Sequence, residues 1–343
     1  MKKLGLFALF LNLITLTAQQ YQSVSLASGF IIPHHDDMYH LYRHQYSLSY
    51  QSSKFLKGQK DQMGYHCYVA DLGSETLGWA AAVGAEFDKR FVTTKKWAIS
   101  GAFTAGIGWV SNPFDSENNP RNRAIGSHLN GYVRVGIKSR YILNQNIFLS
   151  ADVQLSHFSN AAWKAPNLGV NIPSIGLSVG RILQKSNIQP ITWQTENKWT
   201  PFVSFRVGRK SLDIDDPRWY MHYTGELGLD YMLSETSSLR GAILVQSDPF
   251  YRFEKFQNLA PLTSNNVLEL GLSVGYKAYW GRWNTFFDVG YYLYKPDKGY
   301  KTPYFEALGL GYRINKKWEP VLRLKANKTT ADVMEWGVIY YLN

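Results

Sequence analysis

His157 and Ser159 stand two residues apart in the run Leu155-Ser156-His157-Phe158-Ser159-Asn160. In an extended strand residues i and i+2 share a face, so the imidazole and the hydroxyl can come within hydrogen-bond reach. A general base needs that proximity to take a proton from a serine nucleophile. Asn171 has the same parity as the next apolar set, Pro173, Ile175, Leu177 and Val179. If the 158–170 stretch closes a hairpin, Asn171 falls beside His157, and His157, Ser159 and Asn171 converge. Polar side chains are also inexpensive at the rim of a membrane barrel, so a plain rim role stays open beside the chemical one.

Other groups of chemically capable residues match no known pattern. His34-His35-Asp36-Asp37, with His40 and His44, has no recognised ligand spacing and is expected to be a solvated periplasmic segment. Asn112, Asp115, Glu117 and Asn118 lack the EF-hand spacing and read as a polar loop. Cys67 is the sole cysteine, which excludes an internal disulfide, a CxxC redox pair and a thiolate-rich zinc site. No metal or cofactor is expected.

The elements that must position these residues are strands. In the run from Ile147, the residues Leu149, Ala151, Val153 and Leu155 are apolar, while Ser150, Asp152, Gln154 and Ser156 between them are polar. Trp97–Trp109, Leu129–Ile137, Tyr223–Tyr231, Leu268–Val274 and Met334–Leu342 repeat the pattern, with Arg, Lys, Asp, Glu or His on several of the polar faces. The 343 residues are 45% hydrophobic, 18% charged and 15% aromatic, with 23 Tyr, 18 Phe, 11 Trp and 28 Gly. This mixture suits an all-β, closed antiparallel transmembrane barrel of roughly 12–14 strands with aromatic girdles. A soluble sandwich also alternates, but its inner face is rarely so polar. Leu143–Gln145, Ser234–Thr236 and Asn315–Lys317 read as short periplasmic turns, and 110–127, 158–170, 209–220 and 248–265 as extracellular loops. The long 184–198 connection falls on the periplasmic side by this count, without an evident reason.

Lys2 and Lys3, the apolar run Leu4–Leu16 and the small pair Thr17-Ala18 form a secretory signal pattern. The expected organisation is a signal peptide over 1–18, a periplasmic segment over 19–38 and one barrel over 39–343, in the bacterial outer membrane. The net charge of +11 is dispersed and carries no nucleic-acid motif, so an anionic membrane surface is the better partner.

His157-Phe158-Ser159-Asn160-Ala161 followed by Pro166-Asn167-Leu168-Gly169 resembles the H-x-S-N-A…P-N-x-G signature of the outer-membrane lipid A 3-O-deacylases, the PagL-like or acyloxyacyl hydrolase family. Asn122–Ser127 is similar to that family's N-x-A-I-G-S segment, and the resemblance spans about 75–185. It implies Ser159 as nucleophile, His157 as base, Asn160 and Asn167 as oxyanion donors, and lipid A in the outer leaflet as substrate. Asn171 stands where the family usually has Glu; its carbonyl can fix the imidazole tautomer but brings no charge. Arg121, Arg123 and Lys164 flank the site in two loops and could pair with lipid A phosphates or be solvated. The alternative function is a non-enzymatic barrel, in which Arg134, Lys138, Arg140, Arg206, Glu226, Asp230 and Asp288 line a pore or form an internal ion-pair network.

Overall fold

Period-two alternation requires that the residues of one face meet lipid and those of the other meet a lumen, and the chain folds accordingly. The computed structural model describes residues 21–55, 61–183, 198–211, 218–248, 267–296, 302–327 and 330–342. Eight strands come first: β1 (Tyr21–Phe30), β2 (His44–Phe55), β3 (Asp61–Ser74), β4 (Gly78–Thr93), β5 (Trp97–Val110), β6 (Leu129–Ile142), β7 (Ile147–Ser159) and β8 (Val170–Ile182). Eight more follow: β9 (Trp199–Lys210), β10 (Tyr220–Ser234), β11 (Ser237–Ser247), β12 (Leu268–Trp280), β13 (Trp283–Tyr294), β14 (Tyr304–Tyr312), β15 (Trp318–Asn327) and β16 (Thr330–Tyr341). Every pairing is antiparallel between neighbours, and the sheet closes twice, β1 on β8 and β9 on β16.

The all-β closed barrel is as the alternation implies, but the expectation of one barrel of 12–14 strands over 39–343 is corrected to two barrels of eight strands. Nor is 19–38 a periplasmic segment. Tyr21–Phe30 is β1, and the residues after it connect to β2 at the long-loop end. The signal pattern itself lies outside the described residues. The two closures also account for the 184–198 connection. Eight strands return the chain to the side from which it entered, so the link between the barrels leaves and arrives at the short-turn end.

Along β7 the outward residues Ile147, Leu149, Val153 and Leu155 are exposed, whereas Phe148, Ser150, Asp152, Gln154, Ser156 and Phe158 are buried. An aqueous protein would invert that distribution; a lipid-facing wall requires it. At the short-turn ends, tryptophan opens a strand opposite a partner tyrosine four times: Trp97–Tyr141, Trp199–Tyr231, Trp283–Tyr312 and Trp318–Tyr340, with ring centroids 4.4–4.9 Å apart. These pairs form the aromatic girdle of a membrane–water interface.

Both lumens carry buried ion pairs. In the first barrel Glu86 accepts from Lys138 at 3.0 Å and Arg134 at 3.2 Å, and Asp88 lies 3.6 Å from Arg140. In the second, Arg206 pairs with Glu226 at 3.0 Å, Arg240 with Asp288 at 3.5 Å and Lys277 with Asp230 at 3.8 Å. The seven charged residues that suit a pore equally well from sequence therefore belong to buried networks. Replacing Glu86 by Ala leaves Lys138 and Arg134 short of a partner and is expected to destabilise the protein by ~3–5 kcal/mol. A water-filled lumen would reduce that to about 0–1 kcal/mol. Urea unfolding followed by tryptophan fluorescence separates the two, and planar bilayers should show no steady conductance.

Candidate active site

His157, Phe158 and Ser159 end β7 at the long-loop end. Phe158 points inward and is fully buried against Tyr68 and Tyr132, with centroids 6.0 and 5.0 Å away. Its anchoring turns His157 and Ser159 outward. The plug around it includes Ile31, Met38 and Leu41 from the β1–β2 connection and Ala124 and Ile125 from the β5–β6 loop. The Asn122–Ser127 segment serves this plug. Asn122 Oδ1 accepts from the backbone N–H groups of Ala124 and Ile125, both at 3.1 Å, and its Nδ2 donates to the carbonyl of Asn112 at 2.7 Å. A Cβ on Gly126 would meet the Pro166 carbonyl at 2.6 Å, so glycine lets this loop touch the one between β7 and β8.

The hairpin register sets Asn171 directly opposite His157. Asn171 Oδ1 lies 2.7 Å from His157 Nδ1, and Asn171 Nδ2 lies 3.2 Å from His34 Nδ1. His34 Nε2 lies 2.7 Å from the carbonyl oxygen of Leu168. These contacts assign one consistent set of protons: His157 carries hydrogen on Nδ1 and His34 on Nε2, leaving His157 Nε2 free to accept. Among the described residues no carboxylate pairs with either histidine. Sequence reasoning set His34 in a solvated periplasmic segment and missed its place beside Asn171, because β1 has serines on both faces and its alternation is faint. The backbone bridge between Ile32 and Asn171, with N–H to O at 3.0 Å, brings His34 here.

Ser159 is buried, and its hydroxyl is held by three groups rather than by His157. Asn167 Nδ2 donates to Ser159 Oγ at 3.1 Å, the Oγ lies 3.3 Å from Asn167 Oδ1, and the Ala161 N–H donates to it at 3.0 Å. Serine and histidine thus share the outward face without a hydrogen bond between them. Catalytic contacts often tighten only around bound substrate. Of the two asparagines, Asn167 reaches the hydroxyl and Asn160 does not. Asn160 Nδ2 donates to the Lys164 carbonyl at 2.8 Å and to Ser127 Oγ at 3.1 Å. Its side chain braces the loop, and it is Asn167 that stands beside the hydroxyl.

The three flanking cations separate. Lys164 borders a cavity of about 710 Å³ beside the β5–β6 loop. It also borders a second cavity of about 650 Å³ toward the other barrel. Arg121 and Arg123 border neither; Arg123 lies over the Phe114 ring, 5.7 Å from its centroid.

Fold and site together define a membrane β-barrel whose polar constellation faces the lipid side of the wall. Comparison of the sequence with known families places it more narrowly. Residues 40–180 match the family described as lipid A 3-O-deacylase (PagL), and residues 198–343 match the acyloxyacyl hydrolase C-terminal domain. The chain belongs to this PagL-like acyloxyacyl hydrolase family, whose two models meet it on either side of the inter-barrel connection. The resemblance therefore extends beyond 75–185. No curated protein matches the chain. Among solved structures it is similar to the outer membrane enzyme PagL, with 18% identity over 46% of this chain and 97% of that one and a TM-score of 0.35. Neisserial surface protein A matches at 12% identity, covering 48% of this chain and 96% of the other, TM-score 0.35. The KdgM porin matches at 8%, covering 94% and 99%, TM-score 0.18. Likenesses so distant carry no weight beside the family match.

Gly169 has φ +80°, and a Cβ there would lie 2.7 Å from His157 Cε1. Gly169→Ala should cost about 1–2 kcal/mol in backbone strain alone and push the imidazole off Asn171. Urea unfolding measures the first effect; loss of the His157 Nδ1–H resonance in NMR spectra reports the second.

Proposed function

We propose that this protein is a serine esterase that removes an acyl chain from lipid A in the outer leaflet of the outer membrane. The observation that carries the reading is the outward placement of the His157–Asn171 pair beside Ser159 in a chain of this family. A lipid ester reaches such a site by lateral diffusion, whereas a lumenal site would never meet it.

In this reading His157 Nε2 takes the proton of Ser159 as its oxygen attacks the ester carbonyl. Asn167 Nδ2 and the Ala161 N–H, which already point at Ser159 Oγ, stand close enough to meet the developing oxyanion. The sugar hydroxyl leaves with the proton held by His157, and water activated by the same nitrogen releases the fatty acid from the acyl-serine. Asn171 keeps the basic nitrogen facing serine, and His34 in turn holds Asn171. Among the described residues no group supplies negative charge to the imidazolium, so turnover should be slower than with a carboxylate in that position. The transport reading finds no support in lumens packed with paired charges.

Mass spectrometry of lipid A from cells producing the protein should show loss of one acyl chain. Ser159→Ala and His157→Ala should each abolish that loss while the barrel still folds; deacylation persisting in Ser159→Ala would end the esterase reading. Asn171→Glu should raise kcat by up to tens of fold, the equivalent of ~1–2 kcal/mol. His34→Ala should lower kcat about tenfold with little change in KM, because it loosens only the orientation of the base. Lys164→Gln should raise KM for a phosphorylated substrate more than Arg121→Gln or Arg123→Gln does.

A further inference from the structure

The two barrels touch at both ends and part between them. Near the short turns Phe87, an outward residue of β4, is 1% exposed because Trp280 of the second barrel covers it, with centroids 5.0 Å apart. At the loop end Trp163 packs edge-on against Trp336 at 5.8 Å, and the Ser211 N–H donates to the Ala162 carbonyl at 2.6 Å. The cavity of about 650 Å³ toward the other barrel opens in this seam. Its volume lies inside the roughly 300–1,000 Å³ typical of ligand sites.

One wall of the cavity is Ile107, Leu129 and Gly131 of the first barrel; the other is Leu322 and Met334 of the second. Gly131 is the register partner of Ser159, and Asn160 and Ala161 also border the space, so it begins one strand from the candidate nucleophile. With no side chain at Gly131 the floor stays open; a Cβ there would sit 3.9 Å from Met334 Cε. The mouth is cationic. Arg209, an outward residue of β9, stacks between Trp163 and Trp219 at 3.9 and 3.6 Å from their centroids, and Lys164 stands beside it. Among the described residues the buried Arg209 Nε has no hydrogen-bond partner.

We infer that the seam is an acyl-chain subsite: one fatty chain of an anionic glycolipid lies between the barrels, with its phosphorylated end at Arg209 and Lys164. The inference rests on the esterase reading and adds that the second barrel sets chain-length preference. Apolar walls from lipid-facing strand residues, a cationic mouth and a border on Asn160 and Ala161, next to Ser159, suit a lipid chain. Each methylene seated there should add up to about fourfold to kcat/KM until the slot is full.

The test uses full-length protein in detergent micelles and a series of acyl esters from four to sixteen carbons. Leu322→Trp and Met334→Trp fill the slot from the second barrel, and each should lower the ratio of long-chain to short-chain kcat/KM at least tenfold. An unchanged ratio in both folded variants would overturn the inference. A second measurement does not need turnover: Ser159→Ala protein is irradiated with lipid A bearing a diazirine at the end of an acyl chain. Label should appear on the peptides containing Leu322 and Met334; label elsewhere and none there also overturns the inference. Labelling of the seam in a protein whose parent cleaves no ester would retire the esterase reading while keeping the seam as a lipid site.

Discussion

In hydrocarbon every backbone N–H and C=O must find its partner within the protein, and a sheet achieves this for all its strands only by closing. Much else in this molecule follows from where closure falls. Eight strands enclose a space that side chains alone can fill, so each inward position becomes a packing problem. In both barrels the solution is charge against charge: Glu86 between Lys138 and Arg134, and Glu226 between Arg206 and Arg240 at 3.0 and 3.3 Å. In the proposed reading, chemistry on a membrane substrate falls to the outer wall and the rim.

The strand faces were legible in the sequence because lipid imposes a strict alternation, and each segment singled out for it has its apolar side outward. The number of barrels was not legible. Closure of β1 on β8 pairs Tyr21 with Ile182 and Ser23 with Gly180, contacts across most of half the chain that leave no local trace. β1 itself, Tyr-Gln-Ser-Val-Ser-Leu-Ala-Ser-Gly-Phe, hides its period behind small polar residues on both faces. The hairpin register that faces Asn171 with His157 was legible, because the parities of the two strands are set by their own apolar residues. The orientation of the Asn160 amide was not, since it depends on the Lys164 carbonyl and Ser127 Oγ in three dimensions.

The acidic partner of a base has two separable tasks, orientation and charge. In the proposed mechanism Asn171 performs the first, and His34 holds it: the amide oxygen is engaged by His157, the amide nitrogen by His34, and His34 is itself tied to the Leu168 carbonyl. An amide can sit between two imidazoles because it offers one acceptor and one donor, whereas a carboxylate offers acceptors only. A carboxylate there would require His34 to carry a proton on Nδ1, either moved from Nε2 at the expense of its bond to the loop or gained as a second one. The departure at Asn171 and the presence of His34 are thus one arrangement. The β1–β2 connection, remote in sequence from Ser159, belongs to the same site.

Immediately after Ser159 the backbone is strained: Ala161 and Ala162 both have positive φ, 54° and 62°, without glycine's freedom. Conformations of this kind cost on the order of 1–3 kcal/mol each and persist only where the surroundings hold them. Two bonds do so. The Ala161 N–H is spent on Ser159 Oγ, and the Ala162 carbonyl accepts from Ser211, which lies beyond β9 in the second barrel. Trp163, the next residue, is clasped by Arg209 and Trp336, again from the second barrel. A strained turn that presents a hydroxyl needs a rigid abutment, and a loop at a membrane rim has few. A second closed barrel, fixed alongside by Phe87 against Trp280, supplies one. The C-terminal half therefore bears on the candidate site through the geometry of that turn, which ties the placement of Ser159 to the packing of strands more than forty residues away.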